Sequence, residues 1–307
     1  MASGSAPPPV TYHRTATVAG LEIFYREAGP ANAPILVLLH GFPSSSHMYR
    51  NLIPALADTY HVIAPDLPGF GLSAAPPVGS FAYSFAVFAD VVGGLLEQLG
   101  AQRYALYVMD YGAPTGFRLA LKHPDRVTAL IVQNGNAYEE GMQDFWASTR
   151  ALWADNSEAN RNAMLPFFTS ESTRFQYTAG VRDETRIDPA AYLYDQLFLD
   201  RPGNAAIQFE IIYDYRTNLA LFPEIHAWFR ASQPPALILW GRYDPIFAVD
   251  GAQAFLRDLP HAELHLLDTG HFALEDKADE MVPLMRDFLG RHLPGHSPSH
   301  ITIREGA

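Results

Sequence analysis

The sequence predicts an α/β protein, with a mostly parallel sheet flanked by helices and a helical segment inserted before its last strands. Three observations carry this. The stretches "ILVLLHG", "YHVIAPDLPG", "YALYVMDYG" and "VTALIVQNG" contain continuous apolar runs, as expected of strands buried on both faces of a parallel sheet. Helical patterns separate these runs, and strict alternation of strand and helix argues for helices on both sheet faces. The alternation then stops. Residues 137–233 are rich in Tyr, Trp, Phe and helical patterns with no convincing buried strand, and the alternation resumes with "PPALILWG". The chain therefore divides into a core of 1–136 and 234–307 and a helical cap (lid) of 137–233.

Taken in order, residues 1–10 are small and Pro-rich and read as a disordered tail. "YHRTATVAGLEIFYREAG" alternates and breaks at Gly20, which suggests a β-hairpin. "SSSHMYRNLIPALAD" reads as one helix with serines able to cap it. In "FAYSFAVFADVVGGLLEQLG", Phe81, Phe85, Phe88, Val92, Leu95 and Leu99 recur at helical spacing and Gly100 ends the run. A helix is expected over 113–123, stopped by Pro124, and another near 250–258. "AELHLLDTGHF" is a final strand, and "PGHSPSHITIREGA" reads as a loose tail.

Composition narrows the function. Of 307 residues, 48% are hydrophobic and 18% charged, a globular profile. Twenty-one Lys and Arg against 33 Asp and Glu give a net charge of −12, which argues against a nucleic-acid partner, since that needs a basic face. There are no cysteines, so disulfides, thiolate metal sites and a Cys nucleophile are excluded. "MASGSAPPPV" has neither a charged nor an apolar leader segment, and no apolar run is long enough to span a bilayer. A soluble, cytoplasmic protein without membrane partners is the expectation.

In open α/β sheets, ligands bind outside the carboxyl ends of the strands. The polar residues there are His40, Asp66, Asp110, Asn134, Asn136, Asp244 and His271. Asp110 has two readings. It is either a helix N-cap, a role that Asp favours, or a nucleophile. The nucleophile elbow G-x-S-x-G sits on a sharp strand-to-helix turn, with partners in the order nucleophile, acid, His. Here Val108-Met109-Asp110-Tyr111-Gly112 takes that place, with Val108 for the first glycine and Asp110 for the serine. "HGFP", "DLPGFG", "GRYDPIF" and "GHF" surround it in the matching order.

On these motifs, the chain resembles the α/β-hydrolase superfamily over nearly its whole length. Within it, it looks like the Asp-nucleophile branch of epoxide hydrolases and haloalkane or haloacetate dehalogenases, with epoxide hydrolase as the closer reading. The resemblance implies an α/β-hydrolase fold with Asp110 as nucleophile, His271 as base and Asp244 as its acid, Asp250 being the weaker rival. It implies backbone N–H groups of Phe42 and Tyr111 as the oxyanion hole and a cis Phe42-Pro43 peptide. His40 would support the loop carrying Phe42, and Asp66 reads as a structural turn residue. Asn134, an amide, cannot be the charged partner.

A carboxylate is already ionised at neutral pH. It suits attack on a saturated electrophilic carbon to give an alkyl ester, whereas a carbonyl target would give a reactive anhydride. The substrate class is thus a small hydrophobic epoxide or organohalide, with water as co-substrate. Haloalkane dehalogenases commonly hold the halide with a Trp after the nucleophile plus an Asn or Trp elsewhere. Tyr111 and Phe42 match neither. An epoxide leaves as an alkoxide and needs a proton donor, for which a phenol is suited. "YDYRTN" resembles the segment carrying such a cap tyrosine, which selects Tyr215, with Tyr213 as its neighbour in the pocket. A second cap tyrosine is missing from "FWASTRALWADNSE". Trp153 is expected to line the pocket there, and Tyr177, Tyr192 and Tyr194 stand as substitutes. The chemistry is complete with side chains and water, so no cofactor or metal is expected. The assembly state stays open, a homodimer included.

Overall fold

The apolar runs become the inner strands of one eight-stranded sheet. The computed structural model describes residues 9–293. Of the tails read at 1–10 and 294–307, residues 1–8 and all of 294–307 lie outside that span. The strands are β1 (Thr11–Val18), β2 (Leu21–Ala28), β3 (Ile35–Leu39), β4 (His61–Pro65), β5 (Tyr104–Met109), β6 (Val127–Gln133), β7 (Ala236–Gly241) and β8 (Glu263–Leu267). Their order is β1-β2-β4-β3-β5-β6-β7-β8. β1 and β2 form an antiparallel hairpin, turning at Ala19 and Gly20, both with positive φ. β2 also pairs antiparallel with β4, and every other pairing is parallel. The fold class read from the buried runs is the one observed.

The two-residue period of the strands splits the core. Val37, Leu39, Leu106, Val108, Leu130 and Val132 point to one face, where α2 (Phe85–Gln98) and α3 (Gly112–Lys122) pack. Leu36, Leu38, Ala105, Tyr107 and Ile131 point to the other, against α1 (Leu52–Leu56). Every one of these strand residues is fully buried. At ~1.5–3 kcal/mol for each large apolar side chain removed from water, these rows anchor the sheet.

Two local expectations change. "SSSHMYRNLIPALAD" is not one helix. It forms a 3-10 turn at Ser46–Tyr49 and then the short α1, whose third residue is Pro54. Proline has no N–H and is tolerated only in a helix's first turn, so the chain restarts there. Phe81 also precedes α2, because Ser84 caps that helix by accepting from the N–H of Val87 at 3.3 Å.

Between β6 and β7 the described chain holds no strand. It runs through α4 (Ala147–Ala154), α5 (Glu158–Met164), α6 (Ser170–Thr178), α7 (Pro189–Leu199), α8 (Asn204–Asp214) and α9 (Arg216–Ser232). α10 (Val249–Asp258) and α11 (Ala273–His292) complete the core, with Met281, Met285 and Phe288 of α11 on the α1 face. Among the described residues, no helix is long and apolar enough to cross a membrane.

Candidate active site

The in-register pairing of β3 with β5 matches Leu39 with Val108. This brings the two strand ends, "HGF" and "DYG", side by side. Asp110 turns the chain from β5 into α3 with φ of 47°, a left-handed conformation that costs a non-glycine residue ~1–3 kcal/mol. The turn closes because two neighbours are glycine. A Cβ on Gly112 would lie 2.0 Å from the carbonyl oxygen of Leu39, and one on Gly41 would lie 2.2 Å from Cβ of Asp110. Asp110 is therefore no ordinary cap. Its side chain accepts the backbone N–H of Phe42, from another strand end, at 2.7 Å.

The loop carrying Phe42 is locked from below. Buried His40 donates from Nδ1 to the carbonyl of Gly41 at 3.0 Å and accepts at Nε2 from the N–H of Leu67 at 2.9 Å. The Phe42-Pro43 peptide is cis. Asp66 accepts from the N–H groups of Ser46 and Leu72 at 2.7 and 2.8 Å, and so works as a turn residue.

Asp110, Asp244 and His271, far apart in sequence, meet at the carboxyl ends of β5, β7 and β8. Nδ1 of His271 donates to Oδ2 of Asp244 at 2.7 Å. Nε2 of His271 lies 3.9 Å from Oδ2 of Asp110 and has no hydrogen-bond partner among the described residues. Asp244 also accepts from Asn134 Nδ2 and from the N–H of Ile246, both at 2.7 Å. Asn134 in turn accepts the N–H of Gly241 at 3.0 Å. The amide at the end of β6 thus steers the acid at the end of β7, a role the sequence did not reveal. Its positive φ of 39° could not be seen from residue type alone. Asp250 instead accepts from Gln143 at 2.7 Å on the exposed side.

Burial raises the Asp110 carboxyl to about 6, against the lowering effects of His271 and of hydrogen bonds from the N–H groups of Phe42 and Tyr111. For His271, burial disfavours the imidazolium, but the charge and hydrogen bond of Asp244, with Asp110, raise its pKa overall. The sign for activity follows. With Asp110 in the nucleophile role expected from the sequence, the carboxylate is the attacking form, so kcat/KM is expected to rise with pH through about 6 and then level off. Initial rates taken from weakly acid to neutral pH check this. A profile already flat at pH 5 would contradict it.

Asp110 opens into a small cavity of about 40 Å³ lined by Phe42, Tyr111, Phe145, Trp146, Phe167 and Ile246, with Thr149, Gln176 and Ile212 completing it. The helices of the 147–232 stretch supply much of this wall. Trp153 and Tyr213, expected in the pocket, are not among the lining residues, and both assignments are corrected. The indole of Trp153 donates to the carbonyl of Ile212 at 2.7 Å and stacks on Tyr215 at 5.9 Å. Tyr213 packs by Leu152, Met164 and Ile212, with the guanidinium of Arg216 over its ring at 3.6 Å. The substitutes also fall elsewhere. Tyr177 donates to Asp195 and stacks on Phe272 at 3.9 Å, Tyr192 leans on Tyr177, and Tyr194 lies against His47 at 4.3 Å. Tyr215 is not among the lining residues either; it is fully buried behind the wall at the junction of α8 and α9, its ring 5.9 Å from that of the lining Tyr111 and 4.8 Å from that of the lining Trp146. Burial, with the charge of Asp110, pushes its phenol well above the usual range. The indole of Trp146 donates to the carbonyl of Ile246 at 2.8 Å. Among the described residues, no group of three or more His, Asp or Glu side chains could hold a metal ion.

The sheet order and the Asp110–Asp244–His271 arrangement define a class: α/β folds with a charged elbow. Residues 34–278 match the family described as the alpha/beta hydrolase fold, and the chain belongs to that family. An uncharacterized hydrolase of Saccharomyces cerevisiae is 42% identical over 268 residues, covering 86% of this chain and 92% of its own. A haloalkane dehalogenase of Mycobacterium marinum is 40% identical over 281 residues, covering 85% of this chain and 86% of its own. Among solved structures, the haloalkane dehalogenase DbeA from Bradyrhizobium elkani is similar with a TM-score of 0.72 and 25% identity, over 92% of this chain and 98% of that one.

Proposed function

We propose that the chain hydrolyses small, neutral, apolar electrophiles through an ester on Asp110, with epoxides opened to vicinal diols as the leading reaction. One observation carries the reading. A buried carboxylate on a tight elbow is held by the N–H of Phe42 and faces a histidine fixed by Asp244, under an apolar cavity. In the first step a carboxylate oxygen of Asp110 bonds to the substrate carbon as the ring C–O bond breaks, and the opened oxygen, still attached to the neighbouring carbon, takes a proton from the Tyr215 phenol. In the second, Nε2 of His271 takes a proton from water, and the hydroxide adds to the ester carbonyl of Asp110. Backbone N–H groups of Phe42 and Tyr111 stabilise the oxyanion. Asp244 stabilises the imidazolium, and collapse releases the product.

The leaving group favours an epoxide. Both indoles near the cavity donate to backbone carbonyls and offer no N–H to a halide. Tyr215, by contrast, is a buried phenol with no hydrogen-bond partner among the described residues. The second reading, carbon–halogen cleavage by the same two steps, is favoured by the dehalogenase relatives. Haloacetates fit poorly, because no Arg or Lys lines the cavity and a substrate carboxylate would be buried unpaired beside Asp110.

A parallel assay of styrene oxide, cyclohexene oxide, 1-bromobutane and fluoroacetate tests this. Diol from the epoxides and no fluoride from fluoroacetate is the expected result. Bromide release from 1-bromobutane with no diol from either epoxide would replace the leading reading by the second.

A further inference from the structure

Two phenols meet beside the cavity of Asp110, Tyr111 in its wall and Tyr215 behind it. The rings of Tyr111 and Tyr215 lie 5.9 Å apart, and Phe85 packs edge-on against both, at 5.2 and 5.5 Å. The hydroxyl of Tyr215 has no partner among the described residues. Tyr111 lines the same cavity as Asp110, and no hydrogen bond to its hydroxyl is found among those residues. The remaining donors are poor rivals. The indoles of Trp146 and Trp153 are committed to backbone carbonyls. Thr149 and Gln176 line the cavity, but an aliphatic hydroxyl and an amide are far weaker acids than a phenol. Burial, the charge of Asp110 and neighbouring Tyr215 keep the Tyr111 phenol protonated, ready to donate.

We infer that Tyr111 is the second acid of the site, sharing the leaving oxygen of an opening epoxide with Tyr215. The inference rests on the epoxide reading. As a carboxylate oxygen of Asp110 forms the new bond to carbon, the ring C–O bond breaks and its electron pair moves to the ring oxygen. One phenol gives that oxygen its proton and the other a hydrogen bond. Hydrolysis of the ester by water then yields the diol, the Asp110 carboxylate and one proton, which returns to the phenolate. A single residue thus has two functions. The backbone N–H of Tyr111 draws down the pKa of the Asp110 carboxyl, while its side chain serves the leaving group.

The test measures the single-turnover rate of ester formation in a His271→Gln background, by quenched flow and intact mass. The set is the parent, Tyr111→Phe, Tyr215→Phe and both together. Tyr→Phe removes only the hydroxyl and leaves the backbone N–H. With styrene oxide, Tyr111→Phe is expected to slow ester formation by about 10²-fold, and the double variant further. With trifluoropropylene oxide, whose alkoxide is less basic, the deficit of Tyr111→Phe is expected to shrink, a readout that mere packing would not move. Ester formation at the parent rate, or an equal deficit on both epoxides, overturns the role of Tyr111. If Tyr215→Phe is slow in either case, the epoxide reading survives. A parent that forms no ester with any epoxide sinks that reading, and the role of Tyr111 with it.

Discussion

His271→Gln is expected to let the Asp110 ester form and to prevent its discharge. The first step needs only the carboxylate and the leaving-group donors, none of which is His271. The second needs a base at Nε2, which Asp244 aims by holding Nδ1 at 2.7 Å. Glutamine keeps a polar side chain there but cannot accept the water's proton. Steady-state turnover should fall by roughly 10³- to 10⁴-fold, the scale of a lost general base. A burst of epoxide consumption, stoichiometric with enzyme, should survive. Equal loss of the burst and of the steady state would mean that His271 also serves the first step.

Asp110→Ala is expected to have the larger effect, a loss of about 10⁴-fold or more, since no neighbouring side chain supplies a nucleophile. The same substitution should not cost stability. Burial raises this carboxyl from 3.8 to about 6, so the folded state holds its proton more tightly than the unfolded state. Its contribution to stability is full at low pH and declines as pH rises through about 6, because desolvation of the charge outweighs His271 and the backbone N–H groups. Alanine removes that charge, so the melting temperature at neutral pH should be unchanged or higher. A clear drop in melting temperature would assign Asp110 a structural role and return it to the helix-cap reading.

The elements that proved legible share a physical cause. β3, β5 and β6 are buried on both faces, so each reads as an unbroken apolar run, and whatever follows it must sit at the sheet's carboxyl edge. β5 so places Asp110, buried β7 places Asp244 on the same edge, and only the last, half-buried strand β8, which precedes His271, departs from that pattern. The preference for Asp244 over Asn134 also follows from chemistry, since an amide carries no charge. The structure adds that Asn134 supports the acid it was weighed against.

The wall above Asp110 was less legible. Helical periodicity tells which side of a helix is buried, not what it is buried against. Tyr213 and Tyr215 are two residues apart and so face opposite sides of a helix turning 100° per residue. Tyr215 ends among Trp146, Trp153 and Tyr111, while Tyr213 packs by Leu152 and Met164. Trp153 is close to the site, but its N–H is taken by the carbonyl of Ile212, a pairing that only the fold creates. Gln176 and Thr149, which do line the cavity, carry no motif that would have singled them out. The helical pattern of 44–58 breaks for a local reason, since Pro54 can sit only in a helix's first turn.

The covalent ester is the claim on which the mechanism turns, and its most direct measurement is mass. Purified His271→Gln is mixed with styrene oxide, quenched in acid, weighed intact and then digested. The account predicts one adduct of the substrate's full mass, located on the peptide containing Asp110 and lost on mild base treatment. An unmodified Asp110 peptide, under conditions where the wild-type protein turns the same compound over, would contradict it.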